Sequence, residues 1–201
     1  MEGHNINHEY KTIFVHVPKN GGVSIKDSLQ TTWEGGQHHR DINEIRKICI
    51  ESYGAESGNE VFSTYFKFGF VRNSWDRVVS LYFRNEGIQM KRSMTFEQFV
   101  DWIENSTDTC KFPSRKRNQL DWFLGEDGKV LVDFIGRFEN FQEDFAYICN
   151  RIQFPCPRLR YSNRGDHRPY WEYYTDETKE IIGKKFKTDI EYFGYEFGKK
   201  D

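Results

Sequence analysis

The stretch KTIFVHVPKNGGVS, residues 11–24, decides the fold. Its first seven residues are rich in β-branched and aromatic side chains, so residues 11–17 are expected to form a buried strand that ends at Pro18. Lys19, Asn20, Gly21 and Gly22 follow, and Val23 and Ser24 open an expected helix over residues 23–32. A strand that turns through glycines into a helix presents successive backbone N–H groups to an anion. The glycines let the backbone come close and adopt positive φ. In a Walker A loop the lysine follows the glycines. Here Lys19 precedes them, so the order itself asks which anion is held.

Outward from this loop, strands and helices alternate. The segment YFKFGFV, residues 65–71, reads as a second strand, and KVLVDFIGRF, residues 129–138, as a third. Residues 41–50 carry Ile42, Ile45 and Ile48 on one helical face, with Asp41 as the cap. Residues 75–84 place Trp75, Val78, Val79, Tyr82 and Phe83 on one stripe. Further helices are expected over residues 95–103, 139–152 and 175–186, with Thr95 capping the first. The pattern is α/β, a single P-loop-like domain with a central, mostly parallel β-sheet flanked by helices. One domain over residues 1–201 is expected, with residues 1–9 as a loose polar start.

The bulk numbers narrow the function. The net charge is -2 and the pI about 6.3, which argues against a general nucleic-acid binder. Aromatic residues make up 17% of the chain, enough for a core built from rings. Cys49, Cys110, Cys149 and Cys156 show no CxxC spacing, so free thiols are expected rather than a disulfide framework or a zinc site. No secretory signal or membrane-length apolar run is visible, and the expectation is a soluble, cytoplasmic protein with no membrane span.

A second segment, RNSWDRVVS, residues 72–80, follows the second strand as PKNGGVS follows the first. Ligands of parallel α/β sheets bind at such carboxyl ends. Arg72 is either an ion-paired residue or a fork for a phosphate, and Ser80 is either a small core residue or a hydroxyl beside it.

At this point the residues resemble a family. FVHVPKNGGVSI is similar to the 5'-phosphosulfate-binding loop of sulfotransferases, and FGFVRNSWDRVVSLY to their 3'-phosphate-binding motif, F-x-F-V-R-N-P-x-D-R-x-x-S. The carbohydrate-type, family 2 group fits best, and GRFENFQEDF and the tail HRPYWEYYTDE to DIEYFGYEF look like its later landmarks. Ser74 departs from the pattern, which has proline there.

The resemblance implies the donor 3'-phosphoadenosine 5'-phosphosulfate (PAPS), with PAP as the product nucleotide and no metal. Pro18, Lys19, Asn20, Gly21, Gly22, Val23 and Ser24 would hold its 5' end, and Arg72 and Ser80 its 3'-phosphate. Lys19 would then meet the bridging oxygen where charge builds. The acceptor is expected to be a hydroxyl, of a carbohydrate or glycolipid, and it needs a base. Histidine suits that role near neutral pH. His39 matches best by register with NEIR, His38 is second, and His167 competes. Glu34 and Asp41 are candidates to orient that histidine. Arg164, Arg168 and Tyr170 sit where related enzymes close a segment over the donor, and Arg115, Lys116 and Arg117 are candidates for an anionic acceptor. Trp122 and Trp171 are expected in the core rather than against a sugar. The competing classes are an ATP-dependent small-molecule kinase and a non-catalytic nucleotide-binding module; the position of Lys19 opposes the first.

Overall fold

The computed structural model describes residues 5–29, 39–83, 94–105, 118–159 and 168–198. Its strands form one sheet in the order β1 (Ile6–Asn7), β2 (Thr12–Val15), β3 (Phe66–Val71), β4 (Phe134–Arg137). The pairs β2–β3 and β3–β4 are parallel, and β1 runs antiparallel along the β2 edge. The helices are α1 (Gly22–Ser28), α2 (Ile42–Tyr53), α3 (Ala55–Thr64), α4 (Ser74–Tyr82), α5 (Phe96–Asn105), α6 (Phe141–Arg151), α7 (Asp176–Lys185) and α8 (Lys187–Phe193). Short 3₁₀ turns lie at Leu120–Trp122, Phe138–Asn140 and Tyr170–Tyr173. None of the described helices is long and apolar enough to cross a membrane.

Successive strand residues point to opposite faces of the sheet, and the two faces bury different chemistry. Ile13 and Val15 join Ile42, Ile45, Trp122 and Phe123 on one side. Phe14, Phe68 and Phe70 join Ile25, Phe141 and Phe145 on the other. A third cluster packs the α4 stripe, Trp75, Val78 and Val79, against α5 and α7. The caps are local chemistry: Asp41 accepts from the N–H groups of Asn43 and Glu44, while the Glu44 carboxylate takes the Asp41 N–H. Thr95 and Gln98 exchange the same kind of pair ahead of α5.

Three departures from the sequence pattern have physical causes. Residues 5–7 pair with β2 and bury Asn5 and Asn7, so the expected loose start is partly ordered against the sheet. The third strand is shorter than residues 129–138 because the Asp133 carboxylate takes the Lys67 N–H at 2.7 Å, where a ladder carbonyl would otherwise sit. Helix α3 was not expected at all. Its surface is polar, with Phe62 and Gly58 buried, and Gly58 lets it lie against α2: a Cβ there would stand 2.4 Å from the Cys49 carbonyl oxygen.

Ser74 is the first residue of α4, a position that proline favours because that N–H has no partner within the helix. Asn73 before it has ψ 125, away from the helical ψ that a following proline disfavours. The Ser74 hydroxyl is buried without a hydrogen-bond partner among the described residues. Ser74→Pro is therefore expected to stabilise the fold by about 1 kcal/mol, mainly by restricting the unfolded chain. A higher urea midpoint at unchanged m-value is the expected reading; an unchanged or lower midpoint contradicts it.

Candidate active site

The parallel register sets the site. Val15 pairs with Gly69 and Val71 with Arg137, so the chain leaves β2, β3 and β4 along one edge of the sheet. The loop at 16–21, the turn at 72–73 and the Phe138–Asn140 turn meet there.

The glycine loop is held by its neighbours. Gly21 adopts φ +79, and a Cβ there would stand 2.3 Å from Phe141 Cζ. Gly22 is not left-handed; it is needed for closeness, since a Cβ would stand 2.0 Å from Nε2 of His16. Of the two glycines only Gly21 adopts the expected positive φ; the second left-handed residue of the loop is Lys19, at φ +70. A left-handed lysine costs on the order of 1 kcal/mol. Two arginines brace this bend: Arg77 Nε donates to the Pro18 carbonyl at 3.2 Å, and Arg72 Nη1 to the Lys19 carbonyl at 3.4 Å. Asn20 is buried, and its amide donates to the Phe70 carbonyl at 2.7 Å and to Oε1 of Gln119 at 2.8 Å. It ties the loop to β3. Ser24 is buried on α1, and Val23 is half-buried beside it.

Of the two readings open for Arg72, the structure shows the ion pair. Its Nε pairs with Asp76 at 2.7 Å and its guanidinium lies over the Phe138 ring, while the same group reaches the Lys19 loop. Ser80 is half-buried two turns along α4. The turn between them is fixed from outside: Glu139 accepts from the Asn73 N–H at 2.6 Å, and the Asn73 amide donates to the Glu196 carbonyl. Burial raises the Glu139 carboxyl pKa, and the Asn73 N–H and Arg72 oppose the rise. GRFENF and the tail thus converge on RNSWDR.

His39 lies beside the loop. Its Nδ1 stands 3.0 Å from the His16 carbonyl oxygen. A carbonyl only accepts, so Nδ1 carries the proton and Nε2 is the basic nitrogen of the neutral ring. The His39 ring tilts against His16 at 4.3 Å between centroids and meets Trp122 edge-on. Asp41, proposed as an orienting group, spends its carboxylate on the α2 cap.

Residues that shape the candidate site escaped the sequence. His16 reads as one more buried strand residue in FVHV; only the spatial neighbours reveal it. Gln119, fully buried, accepts from the Asn20 amide and from the Arg72 N–H at 2.9 Å, and donates to the Arg72 carbonyl at 2.8 Å. Asp189, also fully buried, accepts from the N–H groups of Gln119 and Leu120 at 2.7 and 3.0 Å.

Among the remaining candidates, Arg168 is exposed and pairs with Glu172 at 3.4 Å. Tyr170 is buried against Trp171 and Phe197, and its hydroxyl accepts from the Gly198 N–H. Trp122 is buried in the core of one sheet face, and Trp171 is half-buried against the separate cluster of α4, α5 and α7. His38, Glu34, Arg164, His167, Arg115, Lys116 and Arg117 lie outside the described residues, as does Cys110; Cys49, Cys149 and Cys156 are free thiols.

Burial holds the His16 pKa well below 6.5, with His39 and Lys26 adding to the effect. The folded chain therefore resists a proton that the unfolded chain accepts. Stability present at neutral pH is lost as pH falls through 6.5 toward the folded pKa. Between about pH 7.5 and 5.5 one such proton amounts to about 1.4 kcal/mol. His16→Phe is expected to remove that share of the acid slope in urea midpoints measured at both pH values. Equal slopes for the two proteins would mean that folded His16 protonates normally.

A family model described as "Sulfotransferase family" matches residues 3–196. A protein of Archaeoglobus fulgidus described as uncharacterized is 33% identical over 100 residues, covering 49% of this chain and 76% of that protein. No solved structure matches the chain.

Proposed function

Because the chain belongs to the sulfotransferase family over nearly its whole length, we propose that it transfers a sulfuryl group from PAPS to a hydroxyl, that of a carbohydrate or glycolipid. The observation that carries this reading is the orientation of His39. Its Nδ1–H is spent on the His16 carbonyl, and the same His16 ring lies under Gly22 of the loop. A base with its lone pair on Nε2 thus stands next to a loop suited to phosphosulfate.

In the transfer, the acceptor oxygen bonds to sulfur as the bond from sulfur to the bridging oxygen breaks. The electron pair of that bond stays on the departing phosphate, where Lys19 stabilises it. The acceptor proton passes to Nε2 of His39. Arg72 and Ser80 hold the 3'-phosphate, and the backbone from Pro18 to Ser24 holds the 5' end. An arginine already paired with Asp76 is oriented in advance, so little side-chain freedom is lost on binding.

Isothermal titration with PAP tests the reading. Saturable binding of PAP, stronger than that of AMP, is expected, because only PAP carries the 3'-phosphate. No binding at high micromolar PAP overturns it.

A further inference from the structure

Position 16 holds a side chain whose chemistry its surroundings do not require. His16 is 3% exposed, stacked on Phe14 at 5.4 Å and covered by Gly22. Its Nδ1 is buried with no hydrogen-bond partner among the described residues. An apolar side chain would leave no polar atom unsatisfied there, and an unsatisfied buried polar atom costs folding free energy. A buried polar group kept at such a cost calls for a reason beyond packing.

The reason lies in the ring against it. His39 touches His16 twice, by the Nδ1–H bond to its carbonyl at 3.0 Å and by ring contact at 4.3 Å. We propose that His16 is a positioning residue for the base: its buried ring fixes the His39 ring and answers the charge that His39 takes on. This rests on His39 being the base, as argued above.

The physical case has two parts. Orientation comes first. The carbonyl and the ring of one residue constrain His39 from two directions, and Gly22 and Phe14 leave His16 no room to turn. Charge comes second. Two adjacent imidazoles do not both hold a proton cheaply, and the environment decides which one does. His16 is the drier of the two and stays neutral. The titratable and charged groups bearing on it are His39 and, from α1, Lys26. Around His39, Arg40 and Asp41 follow in the chain, with the Asp41 carboxylate on the α2 cap. A neutral imidazole can turn a lone pair to a cationic neighbour by choice of tautomer, which phenylalanine cannot. The interaction strengthens only as His39 becomes charged, so it favours the transition state over the resting enzyme.

The test compares wild type with His16→Phe. Long-range ¹H–¹⁵N spectra report the tautomer and titration of each ring, with His39→Ala to assign His39. Release of PAP from PAPS with water as acceptor gives turnover, and PAP titration gives affinity. Expected in His16→Phe are an unchanged Nδ1–H tautomer at His39, because the carbonyl remains, and a His39 titration moved to lower pH. The acid limb of turnover moves with it. Turnover falls about tenfold, a part of the roughly 10²–10⁴-fold that a base supplies. PAP affinity stays within about twofold, since no anion contact is removed. An unmoved His39 titration overturns the proposal, as does a parallel loss of turnover and PAP affinity. If His16→Phe does not fold, the wild-type spectra decide: His16 nitrogens must shift with the His39 midpoint while remaining neutral. His16 shifts that ignore His39, or a His16 that itself protonates there, overturn it. The spectra need no nucleotide, so their outcome is separate from whether the chain binds PAP.

Discussion

Lys19→Ala is expected to lower turnover roughly 10²–10³-fold, the usual cost of removing one donor from the place where charge develops, while PAP affinity changes only a few-fold. The asymmetry follows from chemistry. In the bound donor, the bridging oxygen is shared between sulfur and phosphorus and carries little charge. As the bond to sulfur breaks, that oxygen becomes a phosphate oxygen, and an ammonium beside it gains most at that moment. The backbone supports the assignment. Lys19 is held in a left-handed bend by the reach of Arg72 and Arg77 to the carbonyls of residues 18 and 19. A lysine that only supplied charge to a cleft would not need its backbone fixed. Rapid-quench turnover set against PAP titration checks the point. Equal losses in both would make Lys19 a binding residue.

The second large effect is on stability. Asp189→Ala is expected to cost about 3–5 kcal/mol, as removal of one member of a buried charged network does. Asp189 accepts from two buried N–H groups, those of Gln119 and Leu120, and its charge faces Arg77. Alanine leaves both donors without that acceptor and removes the negative charge opposing a buried guanidinium. Burial raises the Asp189 pKa even though these groups oppose the rise, which shows how dry the position is. Against a usual total of about 5–15 kcal/mol, the loss is a large fraction. Urea unfolding reads it directly, and Asp189→Asn, which keeps one acceptor oxygen, should lose less. A loss under about 1 kcal/mol in Asp189→Ala would mean that water or neighbours satisfy the freed groups.

What the sequence made legible was local. Asp41 and Thr95 announce their helices because a cap acts on residues two or three positions away. The strands at 12–15 and 66–71 announce themselves by apolar runs ending at proline or arginine. The glycine loop and the segment at 72–80 were both visible because each occupies a few consecutive residues. The reasons those loops hold their shape were not visible. Gln119 meets Asn20 across 99 positions and Arg72 across 47, and Asp189 meets Gln119 across 70. A lone glutamine or aspartate reads as surface until its partners are known. Helix α3 was missed because its buried face is narrow, with Gly58 replacing a large side chain at the contact. His16 was hidden by its place in an apolar run, just past the end of β2.

Gln119 carries one more consequence. Its single amide accepts from the side chain of the first loop and exchanges hydrogen bonds with the backbone at the start of the second. The separation of the two loops is therefore written in a third segment that belongs to neither. Such loops are not modules. Either one, moved to another sheet with its sequence intact, would arrive without its measure of distance from the other. In this chain the gauge is one side chain long.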